Sequence, residues 1–169
     1  EDIMFRLDAN GGFDLPQAIR FCKEMEAFNI DYVEQPLLPE ELVDLEELRY
    51  HTNIPIAVDE SLTDYRSAEK IIENQVADVF IIKPMVLGGF SESKKIIQLS
   101  REENIRIVIT SALETSIGRM ACIHLAAANE ITEACGLATG NLLAEDNPKN
   151  PIQGGALSIS NTPGMGIKL

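Results

Sequence analysis

The 169-residue chain has no tryptophan, two histidines and three cysteines, and only 5% of it is aromatic. Cys22, Cys122 and Cys135 are far apart and form no C-x-x-C pair. That argues against a disulfide framework and a thiolate zinc site, and it predicts a reducing, cytoplasmic location. Basic residues are also scarce: 14 Lys plus Arg stand against 27 Asp plus Glu, a formal net charge of −13. Neutralising phosphates takes a basic face, so nucleic acid is not an expected partner. An anionic membrane surface would repel the chain. No apolar run approaches the roughly 20 residues of a spanning helix. The longest, Met120 to Ala128, is interrupted by His124. Neither a G-x-G-x-x-G after the first strand nor a G-x-x-x-x-G-K-[ST] occurs, so phosphate-binding fingerprints are missing too. The chain starts at Glu1 without Met or signal peptide, from which missing upstream sequence is expected.

What is present is a repeat. Short runs rich in Ile and Val recur at Ile3 to Leu7, Ile30 to Val33, Ile54 to Val58, Val79 to Ile82 and Ile105 to Ile109, with a weaker one at Ala134 to Leu137. Such runs suit strands buried on both faces of a parallel sheet. Helical patterns lie between them: Leu15 to Phe28 behind the N-cap Asp14, a Leu42–Leu45–Leu48 stripe, Asp64 to Asn74, Ser91 to Glu103, and the Ala-rich Ser116 to Asn129. The acidic residues around Glu40 to Glu47 read as a solvated helix face. Six strands alternating with five helices define an α/β chain of parallel βα units, as a barrel or an open sheet. The Asn-, Pro- and Gly-rich tail from Asn141 to Leu169 is expected to wrap the surface. With no interior linker, residues 1–169 form one domain.

The sharpest signal is how the strands end. The first four finish in Asp8, Glu34, Asp59 and Lys83, separated by 26, 25 and 24 residues, one βα unit each. In a barrel, the C-terminal ends of the strands carry the active site. Three converging carboxylates without His or Cys make a hard-oxygen site, and their mutual repulsion calls for a divalent cation such as Mg²⁺, with Mn²⁺ as a substitute. An EF-hand loop starting at Asp8 does not fit, since Phe13 falls where Gly belongs and Ile19 where Glu should close the loop. Taken singly, each element has a plainer reading as a turn, a strand end, a helix cap or a surface lysine. Gly88-Gly89 could be a tight turn or could present a helix N-terminus to an anion. His51, placed in a loop, and His124, in a helix, have no carboxylate partner at readable spacing and are assigned structural roles.

The motifs RLDANGGF, YVEQPL, IAVDES, IIKPMVLGG, TSALETSIG and NTPGMGIKL run through nearly the whole chain. Their order and spacing resemble the enolase superfamily, in its muconate-lactonising and mandelate-racemase-like branch. SALETSIGRMACIHLAAA and GLATGNLLAED are most similar to the o-succinylbenzoate synthase family. The resemblance implies a partial (β/α)₇β TIM-like barrel: strands three to eight plus the C-terminal tail, without the N-terminal capping domain and the first two strands. It further implies Mg²⁺ bound by Asp8, Glu34 and Asp59, with Lys83 as the active-site lysine and Asn10 and Glu60 beside the metal. Ser111 and Gly136 would lie near the succinyl side of a small anionic carboxylate substrate. The activity it implies is dehydration of 2-succinyl-6-hydroxy-2,4-cyclohexadiene-1-carboxylate through an ene-diolate, on the route to menaquinone. A Lys or His base with Mg²⁺ is the superfamily's usual equipment.

Two departures stand out. The family's N-terminal capping domain is absent, and its Lys-x-Lys motif, whose second lysine is the base in the synthase, does not occur here; Lys94-Lys95 in a helix cannot replace it. The chain is therefore expected to be inactive alone, and to self-associate or pair with the missing N-terminal part. Position 136 opens Gly136-Leu137-Ala138-Thr139-Gly140, not the Asp-x-Asp of dipeptide epimerases, and Ile107 to Glu114 lacks the histidine of mandelate racemase. N-succinylamino acid racemase, muconate cycloisomerase and, less favoured by Gly136 to Gly140, dipeptide epimerase remain alternatives. So do a Schiff-base aldolase using Lys83 and a non-catalytic interaction module.

Overall fold

The computed structural model describes residues 3–143, 152–159 and 162–166. Five parallel strands, β1 (Phe5–Asp8), β2 (Ile30–Glu34), β3 (Ile56–Val58), β4 (Val79–Ile82) and β5 (Arg106–Ile109), pair in chain order into one sheet. Five helices, α1 (Leu15–Met25), α2 (Leu42–His51), α3 (Tyr65–Glu73), α4 (Phe90–Glu102) and α5 (Ser116–Ala128), form the crossovers between strands and follow the last one. This is a partial α/β barrel. No helix among the described residues is long and apolar enough to cross a membrane.

The strands are apolar on both faces because each face meets a different layer. Along β4, Phe80 and Ile82 join the large core beneath the helices, while Val79 and Ile81 join Tyr32, Ala57 and Val108 in a second cluster on the barrel's inner side. That division follows the two-residue period of a strand.

Local chemistry sets the helix starts. Asp14 caps α1: its side chain accepts from the Gln17 N–H at 2.9 Å, while the Gln17 side chain accepts from the Asp14 N–H at 3.0 Å, and Pro16 lies in the first turn. Asp64 and Ser67 repeat the device at α3. Replacing Asp14 with Ala removes the reciprocal pair and is expected to cost about 1 kcal/mol. Urea unfolding checks it, and a midpoint shift too small to resolve would show that the box adds nothing. Gly88 and Gly89 both adopt positive φ, at 87° and 94°, where the chain turns tightly into α4.

Two expectations change. The weak sixth run is not a strand: it contributes a single parallel bridge between Thr110 and Gly136. His51 is the last residue of α2, not part of a loop, and its Nε2 lies 2.9 Å from Glu47 Oε1, one helical turn back. The tail adds a short 3₁₀ turn (Thr139–Leu142) and a hairpin of β6 (Ile152–Gln153) and β7 (Ala156–Leu157) around Gly154-Gly155. Leu157 packs against the main core.

Candidate metal and acid–base site

Strand register gathers the four strand-tip groups on one side of the sheet. Asp8 and Glu34 are direct partners across β1 and β2. Glu34 pairs with Ala57, and Asp59 lies two residues beyond Ala57, hence on the same face. Lys83 stands two residues beyond Ile81 by the same rule. All four rise above the inner cluster of Tyr32, Ala57 and Ile81, at the C-terminal rim.

Their electrostatics show that they sense one another. Burial pushes the Glu34 carboxyl up to about 7, the nearby charges of Asp8 and Asp59 push the same way, and Lys83 opposes them. The Glu60 carboxyl is also raised, by partial desolvation first and by Asp59 and Asp8 after it. At Lys83, burial favours the neutral amine, but a hydrogen bond to Asp59 and the charges of Asp59, Glu60 and Glu34 outweigh it and raise its pKa. Lys83 is therefore an ammonium at neutral pH, and its Nζ donates to Asp59 Oδ2 in an ion pair.

A preformed cage is not what the side chains make. Among the described residues no three His, Cys, Asp or Glu side chains are gathered into a metal-binding group. Asp59 turns to Lys83, which supplies its counter-charge. The residues nevertheless fit a hard dication by donor chemistry: three carboxylates at adjacent tips, no soft ligand, and like charges that raise the Glu34 carboxyl.

Asn10 sits at the turn after β1, with φ of 47°, and its N–H donates to Asp8 Oδ1 at 2.9 Å, so it steadies that carboxylate through the backbone. Glu60 is exposed beside Asp59. Ser111 is buried, and its Oγ lies 2.5 Å from Thr139 Oγ1. Its N–H donates to the Gly136 carbonyl at 3.2 Å. A Cβ on Gly136 would come within 2.9 Å of Thr110 Cγ2, which explains the glycine by close approach. Ser111 and Gly136 are thus brought to each other. No hydrogen bond among the described residues joins them to the carboxylates.

One residue escaped the sequence reading. Gln35, fully buried and at φ of 36°, braces the tips of β2 and β3. Its Nε2 donates to the Leu37 carbonyl and Ser61 Oγ at 2.9 and 2.8 Å, and its Oε1 accepts from the N–H groups of Asp59 and Ser61, both at 3.1 Å. Four bonds leave this side chain no freedom, and they fix the backbone on either side of Glu60. The available signal was a polar residue wedged between Glu34 and Pro36, where a strand end needed none.

A curved parallel sheet with an acidic group and an ammonium at its C-terminal rim defines a barrel enzyme class, and the enolase C-terminal domain-like family matches residues 1–169. The chain belongs to that family, whose superfamily generally uses Mg²⁺. It is 37% identical over 153 residues to the o-succinylbenzoate synthase of Thermobifida fusca, covering 88% of this chain and 47% of that protein. To the o-succinylbenzoate synthase of Mycobacterium tuberculosis it is 34% identical over 164 residues, covering 95% and 49%. Among solved structures, the N-succinyl Arg/Lys racemase from Bacillus cereus superposes with a TM-score of 0.94 at 25% identity, over 100% of this chain and 46% of that one. The L-Ala-D/L-Glu epimerase from Bacillus subtilis gives 0.80 at 32% identity, over 85% and 41%. The chain spans about half the length of the curated relatives it matches.

Proposed function

We propose that this chain is the barrel portion of an o-succinylbenzoate synthase-like lyase acting on 2-succinyl-6-hydroxy-2,4-cyclohexadiene-1-carboxylate. The observation that carries the proposal is the placing of three carboxylates and one ammonium on a single face of one rim. The 34–37% identity to o-succinylbenzoate synthases supports this substrate over others of the superfamily. Asp8, Glu34 and Asp59 would hold Mg²⁺ or Mn²⁺, which when bound supplies Lewis-acid charge at the substrate carboxylate.

The chain's own residues do the rest. Lys83 carries a proton on Nζ and presents a cation where negative charge grows as the carbon alpha to the carboxylate loses its proton. Asp59 aims that ammonium, and Gln35 holds the backbone that carries Asp59. Ser111 and Gly136 would line the succinyl side, the hydroxyl held by Thr139. The reaction releases the abstracted proton and the ring hydroxyl together as water, and it leaves an aromatic ring. Lys83, held as an ammonium by Asp59, is not equipped to begin it, and the Lys-x-Lys motif implied by the family resemblance to supply the base does not occur in these 169 residues. The free edge of β1, where Phe5 is exposed and Ile3 and Met4 are exposed just before it, is where further strands or a second copy would pair.

The full-length polypeptide with Mg²⁺ is expected to convert the substrate to 2-succinylbenzoate, read by the rise in aromatic absorbance. The isolated chain is expected to bind Mn²⁺ and associate in solution, and to turn over nothing. Near-normal turnover by the isolated chain would contradict the placement of the base. A stable monomer by light scattering would contradict the pairing edge. Racemisation of an N-succinylamino acid is the second reading, favoured by the whole-chain superposition on the Bacillus cereus racemase. Deuterium uptake at the alpha carbon without dehydration would select it.

A further inference from the structure

Below the strand-tip group lies a second charged constellation that the proposed chemistry does not use. Arg6 Nε donates to Asp31 Oδ2 at 2.7 Å, and Arg106 Nη2 donates to Asp31 Oδ1 at 2.7 Å. Arg106 also reaches Glu133, Nε to Oε1 at 2.9 Å and Nη2 to Oε2 at 3.1 Å. Arg6 Nη2 closes the loop on Glu133 Oε2 at 2.9 Å. The result is a ring of alternating charge, Arg6–Asp31–Arg106–Glu133, that returns to its start.

The ring's members come from the two ends of the sheet. Arg6 is on β1, Asp31 on β2 and Arg106 on β5, and Glu133 lies just before the bridging Gly136. In its backbone hydrogen bonds β1 pairs only with β2 among the described strands. Arg6 therefore provides the polar link from β1 to residues 133–134, and its Nη1 also donates to the Ala134 carbonyl at 2.5 Å. The pairing of β1 with β2 slips at this point, from Phe5↔Ile30 to Arg6↔Tyr32, which leaves Asp31 out of register and lets it join the ring. At Asp31 burial raises the carboxyl, but Arg6 and Arg106 lower it further; at Glu133 the Arg106 hydrogen bond dominates and lowers it. Both carboxylates are thus ionised at neutral pH.

Partly buried ion pairs add little net stability, because desolvation offsets their attraction. Their demand is geometric: five short bonds hold only if the sheet has one curvature. That curvature reaches the rim through the inner layer. The Arg6 guanidinium lies 4.9 Å from the centre of the Tyr32 ring. Arg6, Tyr32, Ala57 and Ile81 each stand two residues, about 7 Å of strand, below Asp8, Glu34, Asp59 and Lys83.

We infer that the Arg6–Asp31–Arg106–Glu133 ring sets the curl of the sheet and so the spacing of the carboxylates above it: its members are positioning residues for the rim. This rests on the reading of Asp8, Glu34 and Asp59 as a cation site, so two measurements on the full 169-residue chain keep the two ideas apart. The first is Mn²⁺ affinity by electron paramagnetic resonance for wild type, Arg6→Met, Glu133→Gln and Arg6→Lys, each shown folded by near-ultraviolet circular dichroism. Arg6→Met and the milder Glu133→Gln are expected to weaken Mn²⁺ about tenfold, with Arg6→Lys recovering part of the loss. The second is the distance between nitroxides on p-acetylphenylalanine at positions 24 of α1 and 127 of α5, expected to be narrowly distributed in wild type and longer and broader in the variants. Folded variants with unchanged affinity and unchanged distance overturn the inference. If wild type itself binds no Mn²⁺, the cation reading fails and the distance alone decides: a widened distribution upholds the ring's control of the curl, an unchanged one overturns it.

Discussion

Replacing Glu34 with Gln is expected to weaken Mn²⁺ binding about 100-fold while leaving the metal-free chain at least as stable as wild type. A unit charge about 4 Å away, at an effective dielectric of about 20, is worth on the order of 4 kcal/mol to another unit charge. A Gln carbonyl keeps part of the interaction with a cation, so a net loss of about 2.8 kcal/mol, or two decades of affinity, is expected. Stability should move the other way. Burial and the like charges of Asp8 and Asp59 raise the Glu34 carboxyl to about 7 in the folded chain. A raised carboxyl makes the unfolded state the readier to ionise, so this group withdraws stability as pH climbs from about 4.5 to about 7. At pH 8 the neutral Gln is free of that penalty. Titration with Mn²⁺ and thermal melting at pH 8 check both halves, with Glu69→Gln on the exposed face of α3 as the control. A variant that keeps full affinity would remove Glu34 from the ligand set, and one that melts far lower would make Glu34 a structural residue.

Phe80→Ala is expected to produce the largest loss of stability, about 3–5 kcal/mol. Phe80 is fully buried on the interior strand β4, on the face beneath the helices. Its β4 backbone pairs on both sides, with β3 through Val58 and with β5 through Ile107, so the frame cannot collapse into the void. A chain of this size loses about 2–4 °C of melting temperature per kcal/mol, so a fall of about 10 °C is expected. Val86→Ala, half exposed in the turn after β4, should shift the melt only slightly. A loss below about 1 kcal/mol for Phe80→Ala would mean that the sheet and helices are less tightly packed than the structure has them.

Both predictions concern residues whose positions could be read along the chain. Val79 to Ile82 is apolar at every position, which placed it between two layers, and the structure confirms a layer on each side. The even spacing of Asp8, Glu34, Asp59 and Lys83 followed from one charge per βα unit, and strand register puts all four on one face. Gln35 was harder to see because its four bonds are to groups two to 26 residues away, set by how the β2 and β3 tips approach. The hairpin in the tail has a local signal in Gly154-Gly155. His51 has one too, in Glu47 four residues before it.

The chain's own order of residues determined the repeating unit, the strand that each charge terminates and the family to which the protein belongs, because strand period and unit length are local properties that adjacent residues dictate. Tertiary structure alone decided that Asp59 turns to Lys83, that Glu34 is crowded enough to resist ionising, and that Arg6 meets Glu133 across 127 residues of sequence. Those outcomes depend on how far the sheet curls and where one strand slips against its neighbour, and curvature is a property of the assembled sheet that no single segment carries.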